Sequence, residues 1–300
     1  MIPVRERFPG LTEGWARFDG PAGTLMVDTA IEAMRSYLSG PGTANVGGCF
    51  DASVRTGEVV DRARATVARL LGASADSVVF GANMTTLTFA FTRAVARAIG
   101  PGDEIVCTQL DHDANVTPWV MAAADRGASV RFAELDRDTG RLPVDAVERV
   151  LTDRTRWVAV TGASNLIGSM PDIAAITKAA HAAGARVFID AVHLAPHRSI
   201  DVKAIGCDVL VTSPYKWYGP HAGALVVDPE LLDTLEPYKV RPAADKGPRR
   251  LETGTPSFEA IAGAEAAAQF LLDTGMDAIA DQERAVFASL LAGLTSMKHV

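Results

Sequence analysis

Seven short runs of β-branched, aromatic and other apolar residues punctuate the chain. They are SVVFGA (77–82), EIVCTQ (104–109), SVRFAEL (129–135), RWVAVTGA (156–163), ARVFIDA (185–191), CDVLVTS (207–213) and GALVVD (223–228). Their near-continuous apolar content is that of strands buried on both faces, as in a parallel sheet. Between them lie longer stretches with apolar residues three and four apart: VVDRARATVARLLGA (59–73), TLTFAFTRAVARAIG (86–100) and PDIAAITKAAHAAG (171–184). These read as helices, with Gly72 and Gly100 placed as C-terminal caps and Asp172 near a start. Strand and helix alternating this often specify an α/β fold with a mostly parallel, seven-stranded sheet flanked by helices.

Size and composition narrow the function. With 300 residues, 48% hydrophobic and 22% charged, the chain can bury about three quarters of its unfolded surface without a metal or disulfide. A net charge of −7 offers no basic field to a polyanion, so nucleic-acid binding is disfavoured. Cys49, Cys107 and Cys207 lack CxxC spacing, which argues against a disulfide framework and for a reducing compartment. The opening MIPVRERFPGLTEGW has no signal-peptide core and no apolar run reaches membrane-spanning length. The expectation is a cytoplasmic protein that binds neither membrane nor nucleic acid.

In parallel α/β sheets ligands sit outside the carboxyl ends of the strands. Here those ends are polar: Gly81-Ala82-Asn83-Met84-Thr85, Asp111-His112-Asp113-Ala114-Asn115, Ser164-Asn165, Asp190-Ala191-Val192-His193 and Thr212-Ser213-Pro214-Tyr215-Lys216. Lys216 follows a strand and precedes Trp217 and Tyr218; burial beside aromatic rings turns a lysine amine into a nucleophile, whereas a loop lysine is ordinarily a solvated surface group. Asp190 closes RVFID, where a carboxylate either holds a protonated ring nitrogen or caps the next helix. The flat imidazole of His112 suits stacking on a cofactor ring or acid–base work, with a hydrogen-bonded structural histidine as the alternative. GANMTT, between strand and helix, offers free N–H groups and a helix dipole to a phosphate, and Ser213 is placed to add a contact. Two competing constellations are a metal-hydrolase set (His112, Asp113, Asp190, His193, His197, His221) and a Ser213-x-x-Lys216 nucleophile pair. The first leaves Lys216 without a role, and the second lacks its companion motifs.

Taken in order, FGANMTT (80–86), LDHDANVTPW (110–119), ASNLIG (163–168), FIDAVHLAPH (188–197), TSPYKWYGPH (212–221) and ETGTP (252–256), with DGPAGT (19–24) and ANVGG (44–48), form a recognisable series. It resembles the class V aminotransferase family of pyridoxal-phosphate enzymes, fold type I, in its cysteine desulfurase-like branch. The resemblance implies pyridoxal 5'-phosphate as cofactor and a small amino acid as substrate. It gives Lys216 the role of Schiff-base lysine and proton carrier, Asp190 that of partner to the pyridine nitrogen, and His112 that of the stacked residue. Asn165 and His193 (commonly glutamine in the family) would hold the ring's phenolic oxygen or the substrate. Ala82, Asn83, Met84, Ser213 and Tyr215 would hold the phosphate. Thr255 resembles a residue that reaches the neighbouring subunit's phosphate, implying a homodimer with shared sites.

On this likeness residues 1–18 form an N-terminal arm, 19–256 the cofactor-binding domain, and 257–300 connecting helices opening a C-terminal domain that is incomplete here. That domain carries a carboxylate-gripping arginine in the family and, in desulfurases, the nucleophilic cysteine, whose position none of the three cysteines takes. The alternative expectation is therefore a chain that binds the cofactor and is catalytically incomplete.

Overall fold

The computed structural model describes residues 2–12, 14–41 and 43–297, so Met1, Glu13, Gly42 and 298–300 of the expected segments fall outside the described residues. All seven apolar runs are strands: β1 (Val78–Gly81), β2 (Glu104–Thr108), β3 (Ser129–Ala133), β4 (Thr155–Thr161), β5 (Arg186–Asp190), β6 (Val209–Thr212) and β7 (Gly223–Val227). They join in one sheet, ordered β1-β7-β6-β5-β4-β2-β3. β7 runs antiparallel to both β1 and β6, and every other pairing is parallel. The carboxyl ends of the other six strands therefore share one side of the sheet, where β7 begins.

The helices are α1 (Asp28–Ser39), α2 (Asp51–Leu71), α3 (Met84–Val95), α4 (Thr117–Arg126), α5 (Val144–Glu148), α6 (Ile173–Ala182), α7 (Val202–Ile205), α8 (Pro229–Thr234), α9 (Phe258–Thr274) and α10 (Met276–Thr295). They cover both faces, and successive strand residues go alternately to each. Val78, Phe80, Val106, Val158, Val160, Val187, Ile189, Leu210 and Val226 join the core under α2, α6 and α9. Val79, Ile105, Cys107, Trp157, Phe188, Val209, Val211 and Leu225 join the core under α3, α4 and α8. Two packed faces explain why the strands read as unbroken apolar runs rather than alternating ones.

Three local expectations are corrected. β3 pairs with β2 alone at the sheet edge, so of its five residues only Ala133 is buried and Phe132 is exposed. Gly72 does end α2, at φ 64° with its N–H on the Ala68 and Arg69 carbonyls, but Gly100 caps no helix. α3 stops at Val95 and tightens into a 3-10 turn, and the Gly100 N–H instead goes to the Asp103 carboxylate at the entry to β2. α2 begins at Asp51, eight residues before the expected run, because the positions its first turns bury are the polar Ser53 and Thr56, which leave no apolar stripe. Asp172 is the N-cap of α6, accepting from Ala175 N at 3.0 Å.

The outer edge of β1 is closed by side chains in place of a strand. Glu252 accepts from Phe80 N at 2.8 Å, Arg64 donates to the Val78 carbonyl, and the two pair with each other at 2.8 Å with both side chains 9% exposed. Unpaired edge groups are thereby satisfied within the chain. The same contact pins the segment from Glu252 to Thr255 beside Gly81 and Ala82.

Candidate active site

Lys216 is placed by a rigid turn. After β6 the chain makes a 3-10 turn, Pro214–Lys216, whose N–H groups at Lys216, Trp217 and Gly219 return to Ser213 and Pro214 carbonyls at 2.9–3.0 Å. The fully buried Trp217 anchors it, its indole N–H donating to Thr212 Oγ1 at 3.1 Å. The turn is strapped by the far end of the chain. Thr24 Oγ1 donates to the Tyr215 carbonyl and accepts from Tyr218 N, both at 2.9 Å, while Thr24 N donates to the same carbonyl at 3.0 Å. The strap lets Tyr218 keep φ +70°, the only described non-glycine residue in that region. Lys216 is 6% exposed; its Nζ donates to the Pro21 carbonyl and lies 4.7 Å from the Tyr215 ring centroid. No signal in the sequence foretold this strap, because its partners are nearly two hundred residues apart.

Asp190, 4% exposed at the end of β5, accepts from Val192 N at 2.9 Å. Burial pushes its carboxyl up to about 6, against the pull of that N–H and of the charges on His112 and Lys216. His193, half-buried on the next turn, is driven the other way, down to about 4, by burial and then by the charges of Lys216, His197 and His112. One carboxylate, three imidazoles and one amine thus share a single electrostatic neighbourhood. His112 itself is exposed, with Nδ1 accepting from Ala114 N at 3.0 Å.

The β1–α3 turn forms an anion cradle. Asn83 caps α3 by accepting from Thr86 N at 2.8 Å, and Met84 N donates to Ser213 Oγ at 3.1 Å, which ties this turn to the lysine turn. Among the described residues the N–H groups of Ala82, Asn83 and Thr85 have no acceptor. Gly223 makes the close approach possible, since a Cβ there would stand 2.5 Å from the Asn83 carbonyl carbon. Asn165 follows β4 on the same side of the sheet and is half-buried. Thr255 is exposed, accepts from Asn45 Nδ2 at 3.3 Å, and lines a cavity of about 180 Å3 with Gly81, Ala82 and His221.

The competing constellations dissolve in this geometry. Ser213 Oγ and Lys216 Nζ are engaged with Met84 N and the Pro21 carbonyl rather than with each other. His197 pairs with Glu283 at 2.6 Å and His221 stacks on Tyr215, ring centroids 5.3 Å apart. Among the described residues no three His, Cys, Asp or Glu side chains gather as a metal site.

The profile of the aminotransferase class V family matches residues 17–300. The chain belongs to that family. It is 32% identical over 314 residues to a cysteine desulfurase of Enterobacter sp. (strain 638), covering 98% of this chain and 77% of that one. It is 36% identical over 269 residues to an uncharacterized protein of Mycobacterium tuberculosis, covering 89% and 67%. The apo structure of a cysteine desulfurase from Thermococcus onnurineus NA1 superimposes with a TM-score of 0.92 at 28% identity, over 98% of this chain and 77% of that one. This class V aminotransferase is thus a cysteine desulfurase-like enzyme, and pyridoxal 5'-phosphate is the cofactor of its family.

The residues present fit that group. Unpaired N–H groups at the start of α3 suit a phosphate, a buried carboxylate at Asp190 suits a protonated ring nitrogen, and a buried amine whose acceptor is one backbone carbonyl suits a carbonyl electrophile. The thiols of the class V aminotransferase do not join them. Cys107 and Cys207 are buried, with the Cys207 thiol pushed up to about 12 and Cys107 also raised, and Cys49 is exposed.

Proposed function

We propose that this enzyme acts on a small amino acid, with Lys216 as the residue that bonds the cofactor covalently and afterwards moves the proton at the substrate α-carbon. The observation that carries the reading is the convergence of Lys216, Asp190 and the α3 cradle at the carboxyl ends of β6, β5 and β1, on one side of the sheet. When bound, pyridoxal 5'-phosphate supplies an aromatic electron sink for charge developing at that α-carbon. The chain's own groups do the rest.

Ala82, Asn83 and Met84, with Ser213 and Tyr215, hold the phosphate end. Asp190, held toward its anionic form by the Val192 N–H and the Lys216 ammonium, would partner the ring nitrogen, and His112 would stack on the ring. Asn165 and His193 hold the phenolic oxygen or the substrate; His193, neutral above about pH 4, does so as a hydrogen-bonding group. Lys216, released from the Pro21 carbonyl, is the group placed for proton transfer. Exposed Thr255 supports a homodimer in which it reaches the partner's phosphate, and the absence of a spanning helix among the described residues fits a cytoplasmic location.

Borohydride reduction of the cofactor-loaded protein followed by peptide mass mapping tests this. A cofactor mass fixed on Lys216, and lost in Lys216→Ala, is expected; a fixed adduct persisting in that variant overturns the assignment.

A further inference from the structure

Asp111 stands beside the site, and the reading above gives it no task. Its carboxylate spans the turn after β2. Oδ2 accepts from Thr108 Oγ1, on the last residue of the strand, and Oδ1 accepts from Asn115 Nδ2 at 2.7 Å. Asn115, fully buried, accepts in turn from the Trp119 indole N–H at 3.2 Å in α4, and Trp119 is part of the aromatic core with Phe91, Trp157 and Phe188. Thr108 Oγ1 also takes the Leu110 N–H at 3.2 Å. Strand end, turn and helix are bolted through one carboxyl group.

His112 is the next residue, inside the bolted turn. Its carbonyl accepts from Asn115 N at 2.8 Å and its Nδ1 accepts from Ala114 N at 3.0 Å. An Nδ1 that accepts a backbone N–H bears no proton, so the neutral ring carries its proton on Nε2. Ring orientation and tautomer both follow from the shape of the turn. We propose that Asp111 is the positioning residue for His112, holding the 108–115 turn so that the imidazole faces the cofactor site in its Nε2–H form.

This deepens the reading of His112 as the ring-stacking residue and rests on it. When the carboxyl is protonated, Oδ2 donates to the Thr108 hydroxyl in place of accepting from it, and the bolt works as a neutral hydrogen-bonding group. Burial pushes the Asp111 carboxyl up to about 8, and the neighbouring charge of Asp190 adds to the rise. Asparagine then serves in its place, because its oxygen can accept from Asn115 while its amide donates to the Thr108 hydroxyl. A methyl group cannot. The discriminating comparison is therefore Asp111→Ala against Asp111→Asn.

The first readout uses the apoprotein: nitrogen-15 NMR of the His112 ring, assigned by its loss in His112→Gln. Wild type and Asp111→Asn should show the Nε2–H tautomer, and Asp111→Ala a mixture of both. The second readout is the dissociation constant for pyridoxal 5'-phosphate. It should rise about tenfold in Asp111→Ala, as expected for one lost hydrogen-bonded anchor, and be restored in Asp111→Asn. If Asp111→Ala does not fold, Thr108→Val, which removes one arm of the bolt and keeps the shape, should show the same tautomer mixing. Unchanged ring signals in Asp111→Ala or Thr108→Val overturn the proposal, as does an asparagine variant that behaves like alanine. Wild type that binds no cofactor refutes the reading of the site, while the ring signals still decide whether Asp111 positions His112.

Discussion

At the scale of single residues, Asp190 and His193 sit three positions apart and are pushed toward their uncharged forms by the same burial, one up to about 6 and the other down to about 4. Above pH 7 this leaves the site with one carboxylate and a neutral imidazole. Asp190→Asn keeps the shape and removes the charge; cofactor affinity is expected to fall about 10- to 100-fold, the size of one charge-assisted hydrogen bond, as read by absorbance titration. Thr24→Val is the second test at this scale. It leaves the Tyr218 N–H without an acceptor at a residue already held at φ +70°. A loss of about 1–3 kcal/mol in urea unfolding is expected, together with slower attachment of cofactor at Lys216. The placement of Asp190, His112 and Lys216 was legible in the sequence because Asp190 ends its own strand and the other two lie four residues past theirs, a local relation. Thr24 and Pro21 were visible only as part of DGPAGT, since a contact across nearly two hundred residues leaves no periodic trace.

At the scale of elements, the Arg64–Glu252 pair differs from an ordinary buried ion pair, because both partners also satisfy backbone groups of β1. Glu252→Ala should cost about 3–5 kcal/mol, leaving a buried guanidinium and the Phe80 N–H unpaired. The double replacement Arg64→Met with Glu252→Leu separates the two roles. An ion pair alone is often replaced by apolar residues at little cost, whereas here the orphaned Phe80 N–H and Val78 carbonyl should keep the double variant destabilised by about 1–3 kcal/mol each. Equilibrium denaturation of the three variants decides. The seven strands were legible because a sheet covered on both faces requires apolar residues at every position. β3 carries such a run without the burial, since a strand at the edge is covered on fewer sides. The end of α3 is hidden from the sequence for a related reason: a 3-10 turn continues the apolar spacing through Ala96–Ala98, which carries the expected cap on to Gly100.

For the whole molecule, buried carboxyls set how stability depends on pH. Asp111, raised to about 8 from an unfolded value near 4, lets the folded chain hold one proton more than the unfolded chain across that interval. Stability therefore falls as pH rises through it. Asp190 adds the same sign between about 4 and 6, and His193, lowered to about 4, opposes it up to about pH 6.5. From pH 6.5 to 8 Asp111 acts alone among these three. The urea midpoint of the apoprotein should drop over that range, by up to about 1.4 kcal/mol of stability per pH unit, and Asp111→Asn should flatten the slope. A rising or flat wild-type profile contradicts the assignment of a neutral Asp111.

The strap from Thr24 to the lysine turn also sets an order in time. Residues 19–27 are made before the turn they strap, and Thr24 meets Tyr218 only after 194 more positions have been made. At ordinary rates of synthesis that is roughly 10–40 s. Throughout that interval the segment lacks its partners on the lysine turn, and the amine it will hold does not yet exist. Lys216 is thus completed by a segment made long before it, and the turn that carries the amine closes only once both have been synthesised.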